Sequence, residues 1–250
     1  MFRVLIFSVV ILLFIGHAYS KTLPVPEPES PTPIAKQVLP KHKHSAACEQ
    51  TTAEPVQIIC ILDRSGSMAK LADDTIGGYN SFIEQQRSKP GAAQVTTVIF
   101  DDRYEKIVDG VNLSDVPELT SAQYYARGTT ALLDAVGMTI TDVAGKMERE
   151  GICPAKRRVL IMIMTDGYEN ASREYRKADV KALIESTTND YKWNYVFLGA
   201  NIDSASEAGS IGISARHASN YKADASGVRE SFSRMNEAAD DVRERGTLDK

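Results

Sequence analysis

Beyond Pro55 the chain alternates between short apolar runs and longer segments in which hydrophobic residues recur at helical spacing. The runs cover 56–62 (VQIICIL), 94–100 (QVTTVIF), 159–164 (VLIMIM) and 195–198 (YVFL), with no charged residue in any of them. Such runs predict strands covered on both faces. Leu71, Ile76, Tyr79, Phe82 and Ile83 are spaced as one face of a helix, and further helices are expected over 131–148, 173–187 and about 225–244. Strands alternating with helices imply a doubly wound, Rossmann-like α/β fold: a mostly parallel sheet with helices on both faces. One strand should break the rule, because 104–108 follows Phe100 across only Asp101, Asp102 and Arg103. That gap permits a hairpin and so an antiparallel edge strand.

The stretch ahead of this domain reads differently. Residues 1–20, MFRVLIFSVVILLFIGHAYS, combine the basic Arg3, a long apolar run, and the small residues Ala18 and Ser20 three and one positions before a cut after residue 20. This is the pattern of a secretory signal peptide; left uncut, the same run approaches the ~20 apolar residues of a membrane anchor. In both cases the rest of the chain is expected to be extracytoplasmic, secreted or periplasmic, with any membrane attachment made through that segment. Seven of the ten prolines fall in 21–55, which removes backbone donors and favours extended chain, so this segment is expected to be a linker. Its KHKH at 41–44 and Cys48 lack the ligand count of a metal site and read as solvated chain. The globular domain is then 56–245, with 246–250 as a tail.

Composition narrows the choice of partner. With 29 basic and 33 acidic residues among 250, the net charge of −4 argues against a charge-driven nucleic-acid binder. The 43% hydrophobic and 25% charged content is that of an ordinary globular protein. Three cysteines are too few to build a disulfide scaffold.

Candidate chemistry gathers at the strand ends. Immediately after the first run stand Asp63, Arg64, Ser65, Gly66, Ser67 and Met68. Ligands of a doubly wound sheet bind beyond the carboxyl ends of its strands, so a site belongs here. The alternation of Asp63, Ser65 and Ser67 lets one loop aim three oxygen-bearing side chains at a point, and Gly66 permits a tight backbone. The third run ends in Thr165, Asp166 and Gly167, which supplies a second carboxylate. Gly128, Thr129 and Thr130 stand before the middle helix, where threonine is in any case a favoured cap. Oxygen donors without histidine or thiolate select Mg²⁺, Mn²⁺ or Ca²⁺. Asp101 and Asp102 read as turn residues, Arg64 as a solvated side chain or a lure for an acidic ligand, and Tyr168, Glu169 and Asn170 as residues that could shape a partner surface.

At these residues the chain resembles the von Willebrand factor type A domain with its metal-ion-dependent adhesion site. That family's pattern is aspartate-x-serine-x-serine after the first strand, threonine before a central helix and aspartate after the fourth strand. It matches Asp63, Ser65, Ser67, Thr130 and Asp166; the adjacent Thr129 leaves the threonine ambiguous, and the resemblance selects Thr130 because TALLDA at 130–135 then keeps the family register. The likeness spans about 55–245 and includes TDGYENAS at 165–172 and FLGAN at 197–201, which look like bacterial members. It implies a six-stranded sheet and a metal-dependent protein-binding module without catalytic residues. In that module Mg²⁺, or else Mn²⁺ or Ca²⁺, is incompletely neutralised and takes up an Asp or Glu of a partner protein. In the family's strand order the strands that follow Cys48 and Cys153 are neighbours. Both cysteines are therefore expected at the end of the sheet opposite the metal and, outside the cytosol, paired. Cys60, inside the first run, is expected to be a buried free thiol.

Two other functions would use related architecture. A Mg²⁺-dependent phosphatase could employ a strand-terminal aspartate as nucleophile. Phosphatases of the haloacid dehalogenase type, however, carry a second aspartate where this chain has Ser65, and neither a Gly-x-Ser-x-Gly elbow nor a GxxxxGK[ST] loop is present. A scaffold with a purely structural metal is the other alternative.

Overall fold

Each apolar run has side chains for two faces at once, and each becomes a strand with helices above and below it. A computed structural model describes residues 48–49 and 52–249; the expectations for 1–20, for the KHKH patch and for most of the 21–55 linker lie outside the described residues. The chain runs β1 (Val56–Asp63), α1 (Ala72–Arg87), β2 (Ala93–Phe100), β3 (Tyr104–Asn112), α2 (Leu132–Arg149), β4 (Val159–Thr165), α3 (Lys177–Ser186), β5 (Asn194–Gly199), α4 (Ser204–Ser210), β6 (Ala218–Asn220) and α5 (Ala225–Arg245). The strands form one six-stranded sheet in the order β3-β2-β1-β4-β5-β6. All its neighbours are parallel except β2 and β3, which form the expected antiparallel edge.

Alternation within β1 divides the core in two. Ile58, Cys60 and Leu62 join α1 and α5 on one face, while Ile59 and Ile61 join α2, α3 and α4 on the other. Successive side chains of a strand point to opposite faces, so a run without polar gaps is what a sheet clothed on both sides requires. Helix α1 comes close to α5 because position 78 is glycine: a Cβ there would stand 2.2 Å from the ring of Phe232. Helix α5 is stopped at both ends, by Asp224 accepting the Gly227 amide and by Gly246 at φ 79°.

Three features depart from the expected pattern. Strand β3 continues to Asn112, and its positions beyond Val108 are exposed or half-buried, as suits an edge strand. Helix α3 begins at Lys177 and not at 173, for a reason that lies in the loop before it. Helix α4 was not expected, and β6, the sixth strand that the resemblance implies, had no place in the pattern; it has three residues, none of them buried, too few to leave a periodic signal.

Cys48 and Cys153 form a disulfide with their Cα atoms 4.7 Å apart, and Cys60 is free and buried. Cys153 lies just ahead of β4, and Cys48 ahead of β1, so the bridge sits at the amino edge of the sheet. The strands' carboxyl ends, with Asp63 and Asp166, are at the opposite edge. Among the described residues no helix is long and apolar enough to cross a membrane.

Candidate metal centre

Parallel register brings the tips of β1 and β4 level, Leu62 opposite Met164. One residue further on, the Thr165 hydroxyl donates to Asp63 Oδ2 at 2.6 Å, and the Ser65 amide donates to Asp63 Oδ1 at 2.6 Å. Asp63 is thus wholly buried and fixed by both oxygens. The chain then enters a short 3-10 helix, Gly66–Lys70, which sets the Ser65 and Ser67 hydroxyls 3.2 Å apart. Ser67 donates to Asp166 Oδ1 at 2.5 Å. The Ser67 and Thr130 hydroxyls both stand 3.9 Å from the place a Cβ on Gly167 would occupy. The five sequence-predicted residues therefore meet at one edge of the sheet. Thr130 is buried with its hydroxyl beside Gly167, whereas Thr129 lines a neighbouring cavity of about 720 Å³ with Arg103 and Arg173.

Two sets of contacts hold the loops in this arrangement. Arg64 is not solvated: it is 1% exposed and turned away from the metal loop. Its Nε donates to Asp101 Oδ2 at 2.9 Å and its Nη2 to Glu105 Oε1 at 2.5 Å. Arg127 makes the same pair of contacts, 2.6 Å to Asp101 and 2.7 Å to Glu105, so two guanidiniums and two carboxylates form a closed neutral square. Asp101 also accepts the Arg103 amide at 2.8 Å, the turn role expected of it. The backbone follows, with the Arg127 amide donating to Arg64 O at 2.9 Å and the Gly66 amide to Gly128 O at 3.2 Å. Gly128 has φ 66° and no room for a Cβ beside Asp102.

The second set joins the loop after β4 to the start of α2. Asn170 Oδ1 accepts the Thr130 amide at 2.9 Å, and the Asn170 amide donates to Thr130 O at 3.0 Å. Glu169 accepts from the Leu133, Ala171 and Ser172 amides and from the Ser172 hydroxyl. In return Asp134 accepts the amides of Arg173, Glu174 and Tyr175. Those amides are consumed outside any helix, which is why α3 starts only at Lys177. Glu169 and Asn170 thus face inward and position the loop, leaving Tyr168, 53% exposed, as its outward residue. Their grip on the start of α2 had no signal in the sequence, since Thr130 and Leu133 lie 40 and 36 residues away.

Electrostatics test the site for a cation. Burial pushes the Asp63 carboxyl up to about 6, against the hydrogen bonds from Thr165 and Ser65 and with the help of nearby Asp166. Asp166 is raised as well, by its own burial, against the bond from Ser67. Among the described residues no lysine, arginine or histidine pairs with either carboxylate, and Arg64, next to Asp63 in the chain, is spent on the neutral square. Two buried carboxylates without a counter-charge, beside three hydroxyls, suit a hard divalent cation. Among the described residues no group of three or more His, Cys, Asp or Glu side chains gathers to hold a metal, so the hydroxyls are part of what the site offers.

No protein-family model matches the chain, and no curated protein does. Solved structures do. The chain is similar to proximal thread matrix protein 1 from the mussel byssus, with 13% identity and a TM-score of 0.52 over 76% of this chain and 49% of that one. The same protein with a zinc-occupied MIDAS motif aligns at 13% identity and a TM-score of 0.51, again over 76% and 49%. A von Willebrand factor type A protein from Catenulispora acidiphila aligns at 15% identity and a TM-score of 0.48, over 74% of this chain and 42% of that one. The chain spans about half the length of the mussel protein. The strand order, the single antiparallel edge and the helices on both faces are those of the von Willebrand factor type A fold.

Proposed function

We propose that the chain is a metal-dependent protein-binding module in which Asp63, Ser65, Ser67, Thr130 and Asp166 hold a divalent cation that captures an acidic residue of a partner protein. The observation that carries this reading is the pair of buried, uncompensated carboxylates beside three hydroxyls at the carboxyl edge of the sheet. A cation held there, Mg²⁺ or else Mn²⁺ or Ca²⁺, supplies an electrophilic position suited to a carboxylate. The chain's own residues do the rest. Ser67 and Asp166 present their oxygens together, Asp63 contributes charge from beneath, and Asn170 holds Thr130 in place. Asp63 argues against a phosphatase, since none of it reaches solvent and a nucleophile needs a path to the substrate.

Residues 1–20 are proposed as an export signal or anchor, 21–55 as a linker and 56–245 as the binding module, followed by the 246–250 tail. The disulfide supports an extracytoplasmic setting. The test is calorimetric titration of Mn²⁺ into metal-stripped wild type and Asp63→Ala. Wild type should bind one ion per chain and the variant at least a hundredfold more weakly; equal binding by the two would remove the reading.

A further inference from the structure

The described residues expose two large hydrophobic side chains, Tyr125 at 46% and Tyr168 at 53%, and both stand on loops of the candidate metal centre. Tyr168 is two residues beyond Asp166, and Tyr125 five before Thr130. They fall on opposite sides of it. The Tyr125 ring lies 5.5 Å from the guanidinium carbon of Arg64 and 5.4 Å from that of Arg127, and both arginines are fastened to Asp101 at the end of β2. Tyr168 follows β4, and β1 with Asp63 lies between β2 and β4. Two strand spacings separate those edges by about 10 Å.

Tyr125 is also held still. Arg127 Nη1 donates to its hydroxyl at 3.2 Å, and the two cations on its ring restrain it further. A ring fixed in this way has little rotamer freedom left to lose on contact, and exposed tyrosines are the kind of residue that dominates protein interfaces. Beside Tyr125 the charges of Asp101 and Glu105 are balanced by Arg64 and Arg127. An approaching acidic residue is therefore not opposed by them.

We propose, resting on the metal-dependent reading above, that the partner is an extended protein segment lying across the metal from the β2 side to the β4 side, with a bulky apolar side chain on each tyrosine. In extended chain the side chains two positions either side of the acidic residue share its face, about 7 Å away. The recognition sequence is then an acidic residue with aromatic or large aliphatic residues two positions before and after it. The test is selection, in Mn²⁺, from displayed twelve-residue peptides with one fixed central aspartate and random flanks. Enriched peptides are then measured against wild type, Tyr125→Ser, Tyr125→Phe and Tyr168→Ser, with the Mn²⁺ affinity of each protein taken alongside. Bulky apolar residues should be enriched on both flanks. Each serine variant should lose at least tenfold in peptide affinity, Tyr125→Phe should stay within about threefold, and Mn²⁺ affinity should not follow these losses. Among the described residues Tyr168 has no hydrogen-bond partner, so its serine variant reads contact rather than stability. Flanks without apolar preference, or affinity indifferent to both serine variants, would overturn the proposal and leave the metal reading standing. Peptide binding that survives EDTA, or replacement of the central aspartate by alanine, would overturn the metal reading itself.

Discussion

Asp101 takes Arg64 and Arg127 on one carboxylate oxygen and the Arg103 amide on the other. Burial draws its carboxyl up, but the hydrogen bonds from Arg127 and Arg103 and the two positive charges outweigh that and hold it below the usual carboxylate range. Glu105 is also held low, first by its hydrogen bond from Arg64. A depressed carboxyl contributes stability that is present above its unfolded value and lost as the pH falls through the folded one. Asp101→Asn should therefore cost about 3 kcal/mol at pH 7, where it leaves the buried Arg64 short of charge. The gap from wild type should close as the pH falls below about 4, as read from urea midpoints in EDTA. The clustering of the candidate site was legible because Asp63, Ser65 and Ser67 are local in sequence and oxygen chemistry is written in residue type. Arg64 was not legible, since its neutralising partners stand 37 and 41 residues away.

Among the elements, the loop between β4 and α3 is fixed by side chains that do not belong to it. Asp134, in the first turn of α2, accepts three consecutive amides of that loop. Removing it leaves those donors to water and frees the segment that carries Tyr168 and Asn170. Asp134→Ala is expected to destabilise by about 1–2 kcal/mol in thermal melts, with faster hydrogen exchange at residues 173–175 than elsewhere in the domain. The same contact explains why periodicity misplaced the start of α3. Hydrophobic spacing reports which residues could lie on a helical face, whereas the amides of 173–175 are claimed by a carboxylate about 40 residues earlier. The strands of the sheet centre were legible for the converse reason: burial on both faces leaves a run of apolar residues that needs no distant partner to be recognised. Strand β6 and helix α4, short and partly exposed, leave no comparable trace.

For the whole molecule, the bridge between Cys48 and Cys153 closes a loop with a sequence separation of 105, removing much of the freedom of the unfolded chain. Its loss is expected to cost about 3–4 kcal/mol, checked by comparing the denaturant midpoint of wild type with that of the Cys48→Ser, Cys153→Ser double variant, both without metal. The bridge also decides how the domain meets mechanical tension. A pull on the chain upstream of Cys48 enters the fold at Cys153, at the head of β4, and bypasses the start of β1. A partner gripping the far edge at Asp166 would draw on the other end of the same strand. The force then runs along the covalent backbone of β4 from one end to the other, so the six pairs on the β1 side and the six on the β5 side are not called on to bear it.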